Sequence, residues 1–137
     1  MKVLVLTHRL PFAPNRGDRV RAYHLVRQLA RRASVHVVSL VHDDREEAEA
    51  EGMRRDGIAV TIARVPRLRN YLRGAAGLLS STPLTHMLLD SPVMGEAIAE
   101  SLRDGEPDVV LAYCSGMARF ALEAREIVTP RDITSRV

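Results

Sequence analysis

Short apolar runs alternate along the chain with stretches in which apolar residues recur at helical spacing. Residues 2–7 (KVLVLT) and 34–41 (SVHVVSLV) are apolar runs rich in β-branched residues, which is typical of strands buried on both faces. Between them, prolines and a glycine predict a loop over residues 8–17, followed by a helix from Asp18 to about Arg32. Asp18 suits the N-cap of that helix, because a carboxylate accepts hydrogen bonds from free backbone N–H groups.

The same alternation continues through the rest of the chain. Residues 43–56 predict a highly charged helix that Gly57 ends, and residues 58–63 predict a third strand. Further helices are predicted over residues 68–79, 92–103 and 117–126, with a fourth strand over residues 108–113. Strands that alternate with helices in this way indicate a parallel sheet with right-handed crossovers.

The pattern therefore predicts one α/β domain. We expect a single Rossmann-like, doubly wound parallel sheet with helices on both faces over residues 1–128, followed by a C-terminal tail over residues 129–137. In such sheets ligands bind beyond the carboxyl ends of the strands, at the point where the strand order reverses. The loops expected there are residues 8–18, after the first strand, and residues 113–116, after the fourth.

Composition narrows the class of protein. Hydrophobic residues make up 46% of the chain, which excludes a disordered protein, and the single cysteine, Cys114, excludes a disulfide scaffold. No apolar run approaches the roughly 20 residues of a membrane-spanning helix, and the N-terminus lacks a signal-peptide pattern, so we expect a cytoplasmic protein. Aromatic residues are only 4% and form no stacking platform, so nucleic acid is not an expected partner.

Charge is distributed unevenly along the chain. Residues 1–37 carry eight basic side chains and a single acidic one, although the net charge of the whole chain is only +3. A segment this basic favours an anionic neighbour such as a phosphate, and the alternative is a solvated basic face. A second basic stretch places Arg67, Arg69 and Arg73 beside a leucine-rich helix face, which could rest on anionic lipid or pack on the sheet.

The loop after the first strand holds most of the candidate chemistry. Gly17 precedes a helix, so the backbone there can approach a ligand closely, while Arg16, Arg19 and Arg21 supply positive charge for a phosphate or similar anion. The alternative is an ordinary basic loop. His24 shares a helix face with Arg21, either at the ligand crevice or as an ordinary half-buried helix residue.

Two further side chains follow strands directly. His8 could act as a base or form a hydrogen bond to a sugar hydroxyl, or it could simply cap the end of the strand. Cys114 has no histidine and carboxylate at the spacing typical of a catalytic cysteine. We therefore expect Cys114 to be a small, mostly buried residue, and the alternative is a nucleophile.

Several classes of site are excluded by spacing. The chain lacks the glycines of a dinucleotide fingerprint and the lysine pattern of a P-loop, so NAD dehydrogenases and P-loop ATPases fit poorly. The first strand has no acidic pair after it, which argues against a receiver domain, and the histidines show no metal-ligand spacing. We therefore expect neither a cofactor nor a metal ion.

A set of motifs runs through most of the chain. A strand that ends in THR (residues 7–9) is followed by two prolines, by RGD (residues 16–18) and by a helix with Arg21 and His24. The segments SSTPLT (residues 80–85) and YCSGMARF (residues 113–120) follow later. Over about residues 2–122, the chain resembles the N-terminal domain of GT-B-fold glycosyltransferases of the family-4 (group 1) type, most closely bacterial sugar transferases of exopolysaccharide systems.

The resemblance implies retaining transfer of a sugar from a nucleotide-sugar to a glycan or lipid-linked acceptor. This chain would be the acceptor-side domain, the nucleotide-sugar would bind through a C-terminal domain that the chain lacks, and the chain alone is expected to be inactive. Peripheral contact with the inner face of the membrane is a further expectation. The residues implied in acceptor or phosphate binding are His8, Arg9, Arg16, Gly17, Asp18, Arg21, His24, Ser115 and Gly116. The alternative is a stand-alone, non-catalytic α/β module that binds an anionic ligand or a partner protein.

Overall fold

The computed structural model describes residues 1–12, 17–65 and 92–132, with side-chain surroundings up to residue 124. Four strands and four helices alternate in the described part of the chain. In chain order they are β1 (Lys2–Thr7), α1 (Gly17–Ala30), β2 (Ser34–Val41), α2 (Asp44–Arg55), β3 (Ala59–Arg64), α3 (Pro92–Gly105), β4 (Val109–Ala112) and α4 (Ser115–Asp132).

The strands form one parallel sheet in the order β3-β2-β1-β4. Val3 pairs with Val35 on one side and with Val109 on the other, so β1 is an internal strand. The chain moves outwards from β1 through β2 to β3, and then returns to place β4 on the opposite side of β1. The strand order therefore reverses between β1 and β4, which is the arrangement of a doubly wound sheet.

Helices cover both faces of this sheet, so the predicted fold class is confirmed. Successive strand residues point to opposite faces, and each face has its own core. Leu4 and Leu6 pack with α3 and α4, whereas Val3 and Val5 pack with α1 and α2. The largest buried side chains on the first face include Leu40, Met94, Met117 and Phe120, and those on the second include Leu10, Val26, Val37 and Met53.

The ends of α2 follow the sequence signals closely. The Asp43 side chain caps the helix by accepting a hydrogen bond of 2.8 Å from the Glu46 N–H. Gly57 follows the C-cap with a φ of 80°, the left-handed conformation that favours glycine, and this confirms its predicted role as the stop signal.

Other boundaries differ from the prediction. Helix α1 begins at Gly17, so Asp18 lies inside its first turn and is not the N-cap. Strand β4 is one residue shorter than predicted at each end, and beside its start the Asp108 carboxylate accepts a hydrogen bond from the Lys2 N–H. Helix α4 begins at Ser115, two residues earlier than predicted, and continues to Asp132 within the segment assigned to the tail.

Some predictions lie outside the described residues. These are the helix over residues 68–79 with Arg67, Arg69 and Arg73, the SSTPLT segment and the last five residues of the tail. Among the described helices, none combines the length and apolarity needed to cross a lipid bilayer.

Candidate functional site

The candidate site lies at the carboxyl ends of β1 and β4, where the strand order reverses. His8 follows β1, and Tyr113 and Cys114 follow β4, while α1 and α4 both begin at this edge. A cleft with room for about one water molecule opens here. Its lining residues are His8, Arg9, Asp18, Arg19, Ala22 and Tyr113.

His8 makes the central contacts of the site. Its Nδ1 lies 3.3 Å from the Cys114 Sγ, and its Nε2 lies 4.0 Å from the Asp18 Oδ2. The His8 carbonyl oxygen accepts a hydrogen bond of 3.1 Å from the His42 Nε2, which holds the backbone at the end of β1. The His8 ring therefore lies between Cys114 and Asp18, while His42 contacts its backbone.

Burial lowers the pKa of His8 below its ordinary value of 6.5. The Asp18 and Glu46 carboxylates act in the opposite direction, whereas Arg9 and His42 lower the pKa further. Because the burial effect is the largest, the ring is neutral at pH 7. A neutral imidazole can accept a proton at one nitrogen and donate a hydrogen bond from the other.

Tyr113 joins the two sides of the cleft. Its backbone N–H donates a hydrogen bond of 3.0 Å to the Leu6 carbonyl, which extends the pairing between β4 and β1 by one residue. Its hydroxyl donates a bond of 3.4 Å to the Asp18 carbonyl in the first turn of α1. The end of β4 is thereby tied to the start of α1.

A buried carboxylate neutralises part of the positive charge near the cleft. Glu46 accepts from the Arg9 Nη1 at 3.2 Å, from the Arg19 Nη2, and from the His42 backbone N–H at 2.7 Å. Arg19 also donates to Glu49 at 3.0 Å, and its side chain is only 7% exposed. Arg19 is thus an internal structural residue, in contrast to the ligand-binding role that the sequence suggested.

The face of α1 that meets the cleft carries Asp18, Arg19 and Ala22. Arg21 and His24 are exposed, are not among the cleft-lining residues, and share the side of α1 that faces solvent. The His24 ring packs edge-on against Tyr23, with 5.5 Å between the ring centroids. These two predicted site residues are therefore separated from the cleft formed by His8 and Asp18.

The remaining predicted site residues lie at the starts of the two helices. Gly17 is exposed, and a Cβ added there would meet no atom of the described residues within 4 Å. Ser115 is exposed and Gly116 is half-buried in the first turn of α4. Arg16 lies outside the described residues.

The contact between Cys114 and His8 is the feature that the sequence analysis missed. These residues are 106 positions apart, and only the pairing of β4 with β1 brings them together. The available signal was positional, because each residue directly follows a strand, and neighbouring parallel strands end at the same edge of a sheet.

In the part of the chain that the structure describes, no group of three or more His, Cys, Asp or Glu side chains is arranged to hold a metal ion. Comparison with known proteins finds no family model, no curated protein and no solved structure that matches the chain. The argument for function therefore depends on the site itself.

Proposed function

We propose that this domain is the acceptor-binding, N-terminal half of a retaining glycosyltransferase. In this proposal a sugar passes from a nucleotide-sugar to a glycan or lipid-linked acceptor, in a crevice between this domain and a nucleotide-sugar-binding partner domain. The observation that carries the proposal is the convergence of His8, Asp18 and the first turn of α4 at the reversal point of the sheet. Among the described parts of the glycosyltransferase-like motifs, residues 7–9 and 113–116 lie at this edge.

The chemistry of the site suits a hydroxyl-bearing ligand next to phosphate. A neutral His8 imidazole can form a hydrogen bond to a sugar hydroxyl. The N-termini of α1 and α4 both face this edge, and their free N–H groups favour negative charge. Arg21 adds an exposed cation one turn into α1, four residues after Gly17 and outside the lining of the cleft.

Exposed apolar side chains support the presence of a covering partner domain. Val93 on α3, Val109 on β4 and Leu122 on α4 are 49%, 46% and 62% exposed. Among the described strands, β4 has a neighbour only on its β1 side. Val109 lies on this edge strand, and an exposed apolar side chain there is typical of a sheet edge that a further element or domain covers.

The proposal places the domain in the cytoplasm, at the inner face of the membrane where a lipid-linked acceptor would be presented. This part of the proposal is supported by the sequence of the basic stretch with Arg67, Arg69 and Arg73. Replacement of these three arginines by glutamate is the change that would separate membrane contact from acceptor binding.

A second candidate function is a stand-alone, non-catalytic module that binds an anionic ligand or a partner protein. The small size of the cleft favours this alternative, because a sugar needs a larger crevice. Such a module would use the exposed cations and helix N-termini without a sugar-binding crevice.

Titration of the isotope-labelled chain, followed by amide chemical shifts, tests both candidates. The probes are inorganic pyrophosphate, which represents the donor phosphates, and a set of soluble neutral oligosaccharides. If the glycosyltransferase proposal is correct, both kinds of probe shift the amides of His8, Gly17 and Ser115. A response to pyrophosphate alone favours the anion-binding module. No response to either probe contradicts both the glycosyltransferase proposal and anion binding, and leaves the form of the second candidate that binds a partner protein.

Variants of two arginines sharpen this test. Arg21→Ala should weaken pyrophosphate binding by about tenfold, the equivalent of one charge-assisted hydrogen bond. Arg31→Ala is the matched control, because Arg31 is an exposed cation that follows the other end of α1. Equal affinities in the two variants would show that Arg21 contributes only its net charge, and not a local contact.

A further inference from the structure

Cys114, His8 and Asp18 form a cluster that sugar transfer does not require. The thiol sulfur and the imidazole Nδ1 are 3.3 Å apart, and the Asp18 carboxylate lies 4.0 Å from the opposite ring nitrogen. The three groups come from the end of β4, the end of β1 and the first turn of α1. Each is thus held by a different element of the fold.

The His8 imidazole lies between the Cys114 thiol and the Asp18 carboxylate, and this arrangement suits activation of the thiol. The thiolate, and not the thiol, is the nucleophile, so a nearby proton acceptor increases reactivity. With the Nε2 proton directed towards Asp18, the Nδ1 lone pair faces the Cys114 sulfur. Burial keeps the pKa of His8 low enough for the ring to be neutral, and therefore able to accept the proton, at pH 7.

The surroundings of Cys114 allow a small reagent to approach. The residue is half-buried and packs against the core on the side of α4, while His8 and Asp18 line the adjoining cleft. Helix α4 begins at the next residue, and its first N–H groups favour negative charge at this position.

We propose that Cys114 is a reactive thiol that exchanges with low-molecular-weight disulfides, with His8 as the proton acceptor and Asp18 as a positioning residue. The thiol proton passes to His8 Nδ1, and the thiolate attacks one sulfur of the disulfide. A new S–S bond forms at Cys114 as the original S–S bond breaks. The other half of the reagent leaves as a thiolate and takes up the proton from the imidazolium, so the protein thiol is oxidised and the reagent is reduced.

The test is the second-order rate constant for reaction with dithiodipyridine, measured by absorbance of the released thione. Because Cys114 is the single cysteine of the chain, the signal reports on this residue alone. We expect the native chain to react faster at pH 7 than the same chain unfolded in guanidinium. His8→Gln should lower the native rate constant by roughly tenfold or more.

His36→Gln is the matched control. His36 is also a half-buried histidine, but it lies on β2 and forms a hydrogen bond of 2.8 Å with the Thr61 hydroxyl. This variant should react at the wild-type rate. If a folded His8→Gln variant, verified by circular dichroism, also reacts at the wild-type rate, the proposal is wrong.

The pH profile of the wild-type rate constant decides the question without any variant. An unassisted thiol loses about tenfold in rate per pH unit below its pKa, whereas transfer to His8 gives a shallower dependence between about pH 8 and 6.5. The charged and titratable groups that face His8 are Arg9, Asp18, Arg19, His42, Glu46, Tyr113 and Cys114 itself. Asp18→Asn should steepen the profile, since the imidazolium loses its counter-charge, and a wild-type profile that is already tenfold per pH unit would overturn the assignment.

Discussion

At the scale of single residues, Glu46 does the most to hold the site together. Its buried carboxylate binds Arg9 after β1, Arg19 in α1 and the backbone of His42 after β2. These contacts position the loop that carries His8, because His42 in turn donates to the His8 carbonyl. The Glu46 carboxylate therefore holds the loop after β1 in place through its buried contacts.

We therefore expect Glu46→Gln to destabilise the fold by about 3 kcal/mol, because it leaves the buried Arg19 guanidinium without its nearest counter-charge. The measurement is the denaturant midpoint at constant m-value. The matched control is Glu47→Gln on the same helix, whose carboxylate is 49% exposed and pairs with the exposed Arg64. That variant should cost about 0.5 kcal/mol or less. Equal losses in the two variants would show that the Glu46 network does not stabilise the fold.

The residues of the site differ in how far sequence could identify them. His8 and Gly17 were identifiable, because both lie at the ends of predicted elements on the ligand-binding edge of a parallel sheet. The burial of Arg19 was not, since it depends on Glu46, which is 27 residues away on another helix. The contact of Cys114 with His8 could not be predicted either, because it depends on strand pairing, which is a long-range property that local spacing does not encode.

At the scale of elements, the Phe12 ring fixes how the segment after β1 meets the helices. It packs over Gly52 in α2 and stands edge-on to Tyr23 in α1, with 6.2 Å between the ring centroids. A Cβ added to Gly52 would overlap the Phe12 ring. Glycine is therefore required in the middle of α2, where helix propensity alone would favour alanine.

We expect Gly52→Ala to destabilise the protein by about 1 kcal/mol, because displacement of Phe12 outweighs the gain in helix propensity. Gly95→Ala in α3 is the control, since a Cβ at Gly95 meets nothing within 4 Å. That change should stabilise the protein by about 0.5–1 kcal/mol. Thermal unfolding of both variants gives the comparison, and a stabilising Gly52→Ala would show that Phe12 is not held in place.

The predictability of the elements depends on how strongly each is buried. The bounds of β1 and β2 are those expected from sequence, because both are continuous apolar runs in the centre of the sheet. The start of α4 was missed, since Ser115 and Gly116 are not apolar, and the helix is marked instead by a hydrogen bond of 2.9 Å from the Met117 N–H to the Cys114 carbonyl. Patterns of apolar residues locate buried segments well. They do not reveal where a helix begins when its first turn is formed by backbone hydrogen bonds alone.

At the scale of the whole molecule, two half-buried histidines link the stability of the fold to pH. Burial lowers the pKa of both His8 and His36 below 6.5 in the folded protein. In the unfolded chain both rings are hydrated and titrate near 6.5. The unfolded state therefore binds more protons around and below this pH, so stability is full above 6.5 and is lost as the pH falls through 6.5 towards the lower, folded-state pKa values.

We expect the free energy of unfolding to fall between about pH 7.5 and 5.5, before most carboxylates titrate, and the double variant His8→Gln/His36→Gln to flatten this slope. His24→Gln should keep the wild-type slope, because the His24 side chain is exposed in the folded chain as it is in the unfolded one. Urea denaturation at a series of pH values provides the measurement. A double variant with the wild-type slope would mean that other groups carry the pH dependence, and that the imidazole at the end of β1 is hydrated in solution. The measurement therefore tests whether His8, the side chain that contacts Cys114, is buried in the folded protein.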